Sequence, residues 1–126
     1  MIVGLGIDIL DTRRIRHLLE KFGEHFINKY FTNNEIQFCS SRQDAINSFA
    51  KIFSIKESII KAISNKNGMT WQSTEILHDE LGKPIAKVFC NVYGNIPNHQ
   101  YSIHVSTSDE KSHVVSVAII ENFNNL

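Results

Sequence analysis

Apolar positions in the first half of the chain predict a buried strand followed by three helices. Asp11 or Thr12 stands where the first helix needs an N-cap, and Gly23 is a typical helix stop. Thr32-Asn33-Asn34-Glu35 has the pattern of a capping box, which opens a short second helix. The remaining predicted bounds are a strand from Ile2 to Leu10, a first helix that ends at Phe22, and a long third helix from about Asp44 to Ser64.

The second half of the chain has the pattern of strands. Four segments are apolar or alternate between apolar and polar residues: Thr74 to His78, Ile85 to Tyr93, Tyr101 to Ser106 and Val114 to Ile120. Between the first two, Asp79-Glu80-Leu81-Gly82-Lys83-Pro84 predicts a hairpin or a short connection. One strand, then helices, then several strands indicate an α+β fold in which a mostly antiparallel sheet packs against the long helix.

Composition narrows the class of protein. A chain of 126 residues, 42% hydrophobic and 21% charged, is typical of a soluble globular protein, and we expect a single domain across residues 1–126. The formal net charge of zero argues against nucleic-acid binding. The N-terminus does not resemble a signal peptide, and no apolar run reaches the roughly 18 residues of a membrane span. Cys39 and Cys90 lack CxxC spacing and are expected to be reduced, which favours a cytoplasmic location.

The first strand carries a carboxylate beside two glycines. Strand alternation places Ile2, Gly4, Gly6 and Asp8 on one face. The two glycines leave space beside Asp8 that suits a ligand or another backbone. Alternatively, Asp8 ends the strand and caps the following turn. Gly4-x-Gly6 without a third glycine is too weak to indicate a dinucleotide site.

Glu57 interrupts the apolar side of the long helix. The stripe that it interrupts contains Ile46, Ala50, Phe53 and Ile60. A carboxylate in such a stripe is destabilising unless it is paired or bound to a metal. One interpretation is an i,i+4 ion pair with Lys61. The other is that Glu57 and Asp8 together hold Mg²⁺, which takes one or two carboxylates and substrate phosphates.

Two polar surfaces have both a functional and a simpler interpretation. Arg14, His17 and Lys21 share one face of the first helix, which is either solvated or a docking surface for an acidic partner. Ser102, His104 and Ser106 lie on the polar face of a strand. Their side chains either bind a ligand or face solvent.

Taken together, the motifs of this chain resemble those of the holo-acyl-carrier-protein synthases. The resemblance covers essentially the whole chain, in the family's order, and predicts a 4′-phosphopantetheinyl transferase-like fold. The matching segments are Gly4-Leu5-Gly6-Ile7-Asp8-Ile9, Phe53-Ser54-Ile55-Lys56-Glu57-Ser58-Ile59-Ile60-Lys61-Ala62, Asp79-Glu80-Leu81-Gly82-Lys83-Pro84, His104-Val105-Ser106 with Asp109-Glu110, and Val117-Ala118-Ile119-Ile120-Glu121.

The resemblance implies a reaction in fatty acid biosynthesis. A serine hydroxyl of acyl carrier protein attacks the β-phosphorus of coenzyme A, takes the 4′-phosphopantetheine group and releases 3′,5′-ADP. Asp8 and Glu57 are the implied Mg²⁺ ligands, and Glu57 and Lys61 the implied catalytic residues, with Lys61 facing the phosphates. A water on the metal, Glu57 and His104 all remain open as the proton acceptor.

The resemblance also implies partners and assembly. Coenzyme A is expected to contact Lys61, Gly82, Lys83, Pro84, His104 and Ser106. Acyl carrier protein is expected to dock on Arg14, Leu18 and Lys21. The implied assembly is a homotrimer with active sites between subunits, and no nucleic acid or membrane partner is expected.

The chain departs from the family pattern at two places, and two other functions were weighed against the transferase. Ile63-Ser64-Asn65-Lys66-Asn67 replaces the Gly-Thr-Gly that many relatives carry after Lys-Ala, and Ile52 stands where a basic residue is frequent.

A non-catalytic module that binds an acidic partner would explain the Arg14 face but not Asp8 or Glu57. A broad-range transferase for peptide or polyketide carriers is disfavoured by the short chain, because such enzymes resemble two copies of this unit.

Overall fold

The computed structural model describes residues 1–64, 69–89 and 100–123. Its helices are α1 (Thr12–Phe22), α2 (Glu24–Tyr30), α3 (Asn33–Ser40) and α4 (Ala45–Ile63), with a 3₁₀ turn at Trp71–Ser73. Its strands are β1 (Ile2–Asp11), β2 (Thr74–His78), β3 (Pro84–Val88), β4 (Tyr101–Asp109) and β5 (His113–Asn122). Tyr93, Cys90 and the segment 65–68, which entered the predictions, lie outside the described residues.

The strands form two antiparallel sheets. One has the order β1-β5-β4, and the other is the β2-β3 hairpin. In the larger sheet, Asp8 is opposite Ser116, which is opposite Thr107 on β4. One face of this sheet packs on α4, so the predicted α+β fold with a mostly antiparallel sheet against a long helix is confirmed.

Helix α4 lies so close to β1 that two positions on the strand must be glycine. A Cβ atom at Gly6 would lie 1.9 Å from the carbonyl oxygen of Ser58, and one at Gly4 would lie 2.3 Å from that of Ala62. Both distances are far below contact, so a larger residue would push the helix off the sheet. The space beside Asp8 is therefore filled by another backbone of the same chain, not by a ligand.

Side-chain caps account for the helix bounds. Asp11 caps α1 by accepting a hydrogen bond from Arg13 N at 2.9 Å. The capping box at Thr32 is present, and α4 is bounded by Asp44 and by Ser64, whose φ is 64°. The predicted stop of the first helix at Gly23 is confirmed, but the helix that follows it was not predicted. Gly23 ends α1 with φ 53°, but α2 begins at the next residue and buries Phe26 against the core.

The second face of the large sheet is exposed and apolar. On β1 it comprises Val3, Leu5, Ile7 and Ile9, which are 41 to 68% exposed, and Val115 on β5 is 39% exposed. Single exposed apolar residues are ordinary, but a contiguous apolar sheet face is typical of an interface. No helix in the described ranges is long and apolar enough to cross a membrane.

Candidate functional site

Asp8 projects from β1 onto α4, where two side chains hold its carboxylate. Ser54 Oγ donates a hydrogen bond to Asp8 Oδ2 at 2.8 Å. Lys61 Nζ lies 3.3 Å from Asp8 Oδ1 and also donates to Ile7 O at 3.0 Å. The Asp8 side chain is only 12% exposed, whereas that of Lys61 is 53% exposed. The helix cap is Asp11, so the capping interpretation of Asp8 was wrong.

Glu57 lies on α4 between the two residues that hold Asp8. It is three residues after Ser54 and four before Lys61, so the three side chains share one side of the helix. Lys61 pairs with Asp8 rather than with Glu57, and no ion pair or hydrogen bond of the Glu57 carboxylate is present within the described residues. The i,i+4 pair that would have explained Glu57 locally is therefore not formed.

Glu57 lies at the border of a cavity beside α4. Ala50 and Phe53, earlier in the same stripe, are buried, but Glu57 is only partly buried. The cavity of about 200 Å³ is lined by Glu57, Ile60, Met69, Thr70 and Trp71. The carboxylate thus has an open side on which a ligand can approach.

The Asp8 and Glu57 carboxylates suit a hard cation that keeps several waters. Among the described residues, no three or more His, Cys, Asp or Glu side chains are grouped as a metal cage. Mg²⁺ does not need one, because it binds through one or two carboxylates plus substrate phosphates and waters. Two oxygen ligands, one of them held by Ser54 and the other bordering a cavity, fit that chemistry.

A fully buried ion pair beside the site was not foreseen from the sequence. Lys56 Nζ lies 2.6 Å from Glu35 Oε1, and both side chains are completely buried. Lys56 also donates to Tyr30 O at 3.0 Å and Trp71 O at 2.9 Å, and Glu35 accepts from Ile76 N at 2.7 Å. Burial raises the pKa of Glu35 and lowers that of Lys56, while the pairing opposes both shifts.

This pair fixes one wall of the Glu57 cavity, because Trp71 belongs to that wall. The signal in the sequence was a lysine at a core position of α4, next to Glu57. Its partner Glu35 had been assigned only to a capping box. The structure shows that Glu35 does both: Oε1 accepts from Thr32 N at 2.8 Å and contacts Lys56.

The hairpin turn lines a different cavity from Glu57. Gly82 has φ 82°, and Asp79 Oδ1 accepts from Leu81 N at 2.9 Å and Lys83 N at 2.8 Å, which shapes the turn. Gly82 and Pro84 face a cavity shared with Arg42 and Lys51, while Lys83 is exposed. Of the predicted coenzyme A residues, Gly82 and Pro84 line this cavity, and none lines the Glu57 cavity.

His104 and Ser106 lie on the opposite sheet face from Asp8. His104 is opposite Ile119, which is opposite Leu5, so these residues share the exposed apolar face. His104 Nε2 is 3.1 Å from Glu121 Oε1 and 3.0 Å from Ser102 Oγ. The structure does not bring His104 and Ser106 to the Asp8 carboxylate of their own chain.

The basic face of α1 borders a groove that α2 completes. Arg14 and Leu18 lie in the groove, and the Arg14 guanidinium is 5.9 Å from the centre of the Phe53 ring. Lys21 stands beside the groove, with Nζ 5.3 Å from the Phe22 ring. The full lining of this cavity of about 320 Å³ is Arg14, Leu18, Phe22, His25, Phe26, Lys29, Tyr30 and Phe53. His25 and Lys29 were missed because α2 was not predicted.

Comparison with known proteins identifies the family to which this fold and these site motifs belong. Residues 4–118 match the family model described as the 4′-phosphopantetheinyl transferase superfamily. The chain belongs to this family.

Named relatives narrow the resemblance further. The chain is 35% identical over 120 residues to the holo-[acyl-carrier-protein] synthase of Thermodesulfovibrio yellowstonii. This match covers 95% of this chain and 99% of the relative. It resembles the crystal structure of the Neisseria meningitidis holo-[acyl-carrier-protein] synthase with a TM-score of 0.83 and 30% identity, over 97% of this chain and 100% of that one. The Bacillus anthracis synthase in complex with CoA (3′,5′-ADP) matches with a TM-score of 0.78 and 28% identity, over 97% and 98% of the two chains.

Proposed function

We propose that this protein transfers the 4′-phosphopantetheine group from coenzyme A to a serine of apo acyl carrier protein in the cytoplasm. The products are holo carrier protein, for use in fatty acid biosynthesis, and 3′,5′-ADP. The observation that carries the proposal is the contact of Asp8 with Lys61 on the side of α4 on which Glu57 lies one turn before Lys61. Family membership and the relatives' names supply the substrate class.

Asp8 and Glu57 are proposed to hold Mg²⁺, which when bound neutralises the pyrophosphate charge. Ser54 orients Asp8 through the hydrogen bond to Oδ2. Lys61 is exposed enough to leave Asp8 and place its ammonium group against the phosphates. There it stabilises the negative charge that develops on departing 3′,5′-ADP.

The reaction breaks the phosphoanhydride bond of coenzyme A and forms a phosphodiester bond to the carrier serine. The carrier serine Oγ forms a bond to the β-phosphorus, and the bond between that phosphorus and the oxygen of 3′,5′-ADP breaks. The serine proton must be accepted during this exchange. Glu57 borders the cavity of its own chain, and His104 lies on the opposite face of the sheet, so that it can act only from another copy of the chain. Glu57, His104 of a neighbouring copy and a water on the metal are all candidates for the proton acceptor.

A homotrimer is proposed because His104 and Ser106 lie on the sheet face opposite Asp8 within one chain. His104 and Ser106 can contribute to a site with Asp8 only if that Asp8 belongs to another copy of the chain. The apolar face that carries them is a suitable surface for self-association. A closed ring would bury this face and build each site from two subunits.

The groove bordered by Arg14 is the proposed docking site for acyl carrier protein. It combines an apolar floor of Leu18, Phe26 and Phe53 with a basic rim of Arg14 and Lys29. An acidic helix with apolar residues on one side fits such a groove, because its charges meet the rim and its apolar side chains meet the floor.

Mass spectrometry of apo carrier protein tests the proposed function directly. Incubation with the protein, coenzyme A and Mg²⁺ should add one phosphopantetheine group to the carrier, and chelation of Mg²⁺ should stop the reaction. Carrier protein that lacks the acceptor serine is the control. Binding of the carrier with no mass gain would favour the non-catalytic module instead.

A further inference from the structure

The proposed docking groove and the Glu57 cavity share a wall of aromatic rings. Tyr30 and Phe53 line the groove, and Trp71 lines the cavity. The Trp71 ring stacks on the Phe53 ring with the ring centres 4.7 Å apart and an interplanar angle of 16°, and it meets the Tyr30 ring edge-on at 4.9 Å. Phe53 and Glu57 are four residues apart on α4 and therefore lie about one helical turn from each other on the same side. The groove and the cavity are thus adjacent sites.

Lys56 connects the backbones on the two sides of this wall. Its Nζ donates to Tyr30 O at 3.0 Å, at the end of α2, and to Trp71 O at 2.9 Å, at the start of the 3₁₀ turn. The side chain is completely buried, and its third partner is the Glu35 carboxylate. An ammonium group has three donors, which matches these three partners. Lys56 therefore fixes the separation between the wall of the groove and the wall of the cavity.

Gln72 makes a second connection between the same two elements. Its Nε2 donates to Asn28 O at 2.7 Å and to Phe31 O at 3.0 Å, so that one amide group holds the last turn of α2 and the residue that follows it. Burial does not explain this arrangement, because Gln72 is exposed. The 3₁₀ turn is therefore tied to α2 both inside the wall and at its surface.

The buried pair of Lys56 and Glu35 is a poor source of stability. Replacement of a buried ion pair by apolar residues of similar volume is frequently neutral or stabilising, because both charges are removed from water. Apolar side chains at these positions could fill the same volume, but they could not donate to the carbonyl groups of Tyr30 and Trp71. What the lysine supplies beyond packing is a fixed geometry between two elements.

We propose that Lys56 and Gln72 are positioning residues of the transferase, which hold α2 and the 3₁₀ turn at the separation at which a carrier in the docking groove presents its serine to the Glu57 cavity. This inference rests on the proposed function. The carrier is proposed to bind α1 and α2, whereas the reacting phosphate is proposed to lie at Glu57. A shift of α2 against the turn would leave both binding surfaces intact and displace the serine from the phosphorus. A displacement of about 1 Å is enough to lower a rate about 100-fold.

Transfer kinetics of Gln72→Leu test the positioning role in a variant that should fold normally, because Gln72 is exposed. We expect kcat to fall about threefold to tenfold, while the KM values for carrier protein and coenzyme A stay within about twofold of the wild type, since both binding surfaces remain. Gln37→Leu, at an exposed glutamine of α3, is the matched control and should behave as the wild type. Equal kcat values of Gln72→Leu and Gln37→Leu would overturn the role of Gln72.

A double variant separates positioning by Lys56 from its contribution to stability. Lys56→Met alone leaves the Glu35 carboxylate buried without a cation, whereas Lys56→Met combined with Glu35→Gln leaves no buried charge. The double variant should therefore unfold at a higher urea concentration than Lys56→Met, although both lack the lysine donor to Tyr30 O and Trp71 O. Its kcat, corrected for the fraction of chains that bind 3′,5′-ADP, should be at least about 10-fold below that of the wild type. Recovery of kcat together with stability would show that Lys56 acts through stability alone. If the double variant does not fold, Gln72→Leu decides the proposal.

Trp71 is the single tryptophan of the chain, so its fluorescence reports on the wall without turnover. Acrylamide should quench Trp71 more strongly in Gln72→Leu and in the double variant than in the wild type, because the turn is no longer held against α2. Equal quenching in all three proteins would contradict the proposal, whatever the kinetics show. Absence of transfer by the wild type would instead refute the proposed function, and the quenching comparison would still decide whether Lys56 and Gln72 hold the wall.

Discussion

At Glu57, one side of α4 borders a cavity while the helix itself continues in the core. Earlier residues of the same stripe are packed in the core, while Glu57 faces Thr70 and Trp71 across about 200 Å³. A carboxylate that has no cationic partner in the described part of the chain binds a cation more readily than one already paired. The sequence shows Glu57 as an anomaly, but only the structure shows that Lys61 is engaged elsewhere.

Replacement of Glu57 by Gln tests whether the charge of this side chain, rather than its size, is needed for metal binding. The amide keeps the size of the side chain but removes its charge, so we expect kcat to fall at least about 100-fold, as when one electrostatic contact to a transition state is lost. The measurement is the rate of carrier modification over a Mg²⁺ titration. Glu110→Gln, in the turn between β4 and β5, is the matched control. Full activity of Glu57→Gln at the wild-type Mg²⁺ requirement would remove the metal-site hypothesis.

The neighbouring Lys56 has a structural task that can be measured as stability. Lys56→Met leaves the Glu35 carboxylate buried without its cation and deprives the carbonyl groups of Tyr30 and Trp71 of a donor. Removal of one partner of a buried ion pair costs about 3–5 kcal/mol of unfolding free energy.

Denaturant unfolding of Lys56→Met and Lys51→Met makes the comparison. Lys51 is on the same helix but half-exposed, so its replacement should cost no more than about 1 kcal/mol. The two variants change the same residue type in the same way, and they differ only in burial and partners. Equal losses of stability in both would show that the buried pair contributes little beyond a surface pair.

At the scale of elements, the proposed docking groove is built by α1 and α2 together. Gly23 joins them without a loop, and the result is a groove with basic residues contributed by both helices. Arg14 at one side and Lys29 at the other frame the same apolar floor. A partner helix in this groove would therefore contact both helices at once.

Reversal of one charge on α1 tests the proposed docking groove. Arg14→Glu should raise the KM for carrier protein by at least about 10-fold, because it places a like charge against an acidic partner. The KM for coenzyme A should change little. Added salt should narrow the difference between the variant and the wild type, since exposed charges are screened over about 8 Å at physiological ionic strength.

Arg16→Glu is the control for Arg14→Glu, because it changes the net charge of the same helix equally. Arg16 faces a different cleft, beside Asp44 and Asp109. A similar KM rise in both variants would indicate a general effect of charge, and no rise in Arg14→Glu would exclude the groove as the docking site.

Element bounds were predictable where side chains cap the backbone. Asp44 and Ser64 flank α4 as expected, because an acidic N-cap and a polar C-terminus are local signals. Helix α2 was missed because Gly23, a usual stop, allows one helix to follow another directly at φ 53°. The Lys56–Glu35 pair joins residues on different helices, and a pattern within one helix carries no information about such a partner.

At the scale of the whole molecule, one chain separates two residues that the family resemblance assigns to one site. Asp8 faces α4, whereas His104 lies on the far face of the same sheet. Motif order alone indicated that both belong to one site, but it contained nothing about sheet faces. The exposed apolar residues around His104 give the physical reason to expect a second copy of the chain there.

Co-assembly of two inactive variants tests whether sites are shared. Asp8→Ala and His104→Ala homotrimers should each be inactive or severely impaired, since every site lacks one residue. In any mixed ring, one of the three interfaces joins an intact Asp8 to an intact His104 across the boundary. Random mixing in equal amounts should therefore restore about a quarter of wild-type activity, because about three quarters of the closed rings are mixed and each has one intact site in three. The variants are unfolded and refolded together, with each variant alone as the control, and light scattering reports the mass. A fully active monomer, or mixed trimers without recovered activity, would contradict shared sites and leave the chemistry at Asp8 and Glu57 to be judged by the Glu57→Gln result.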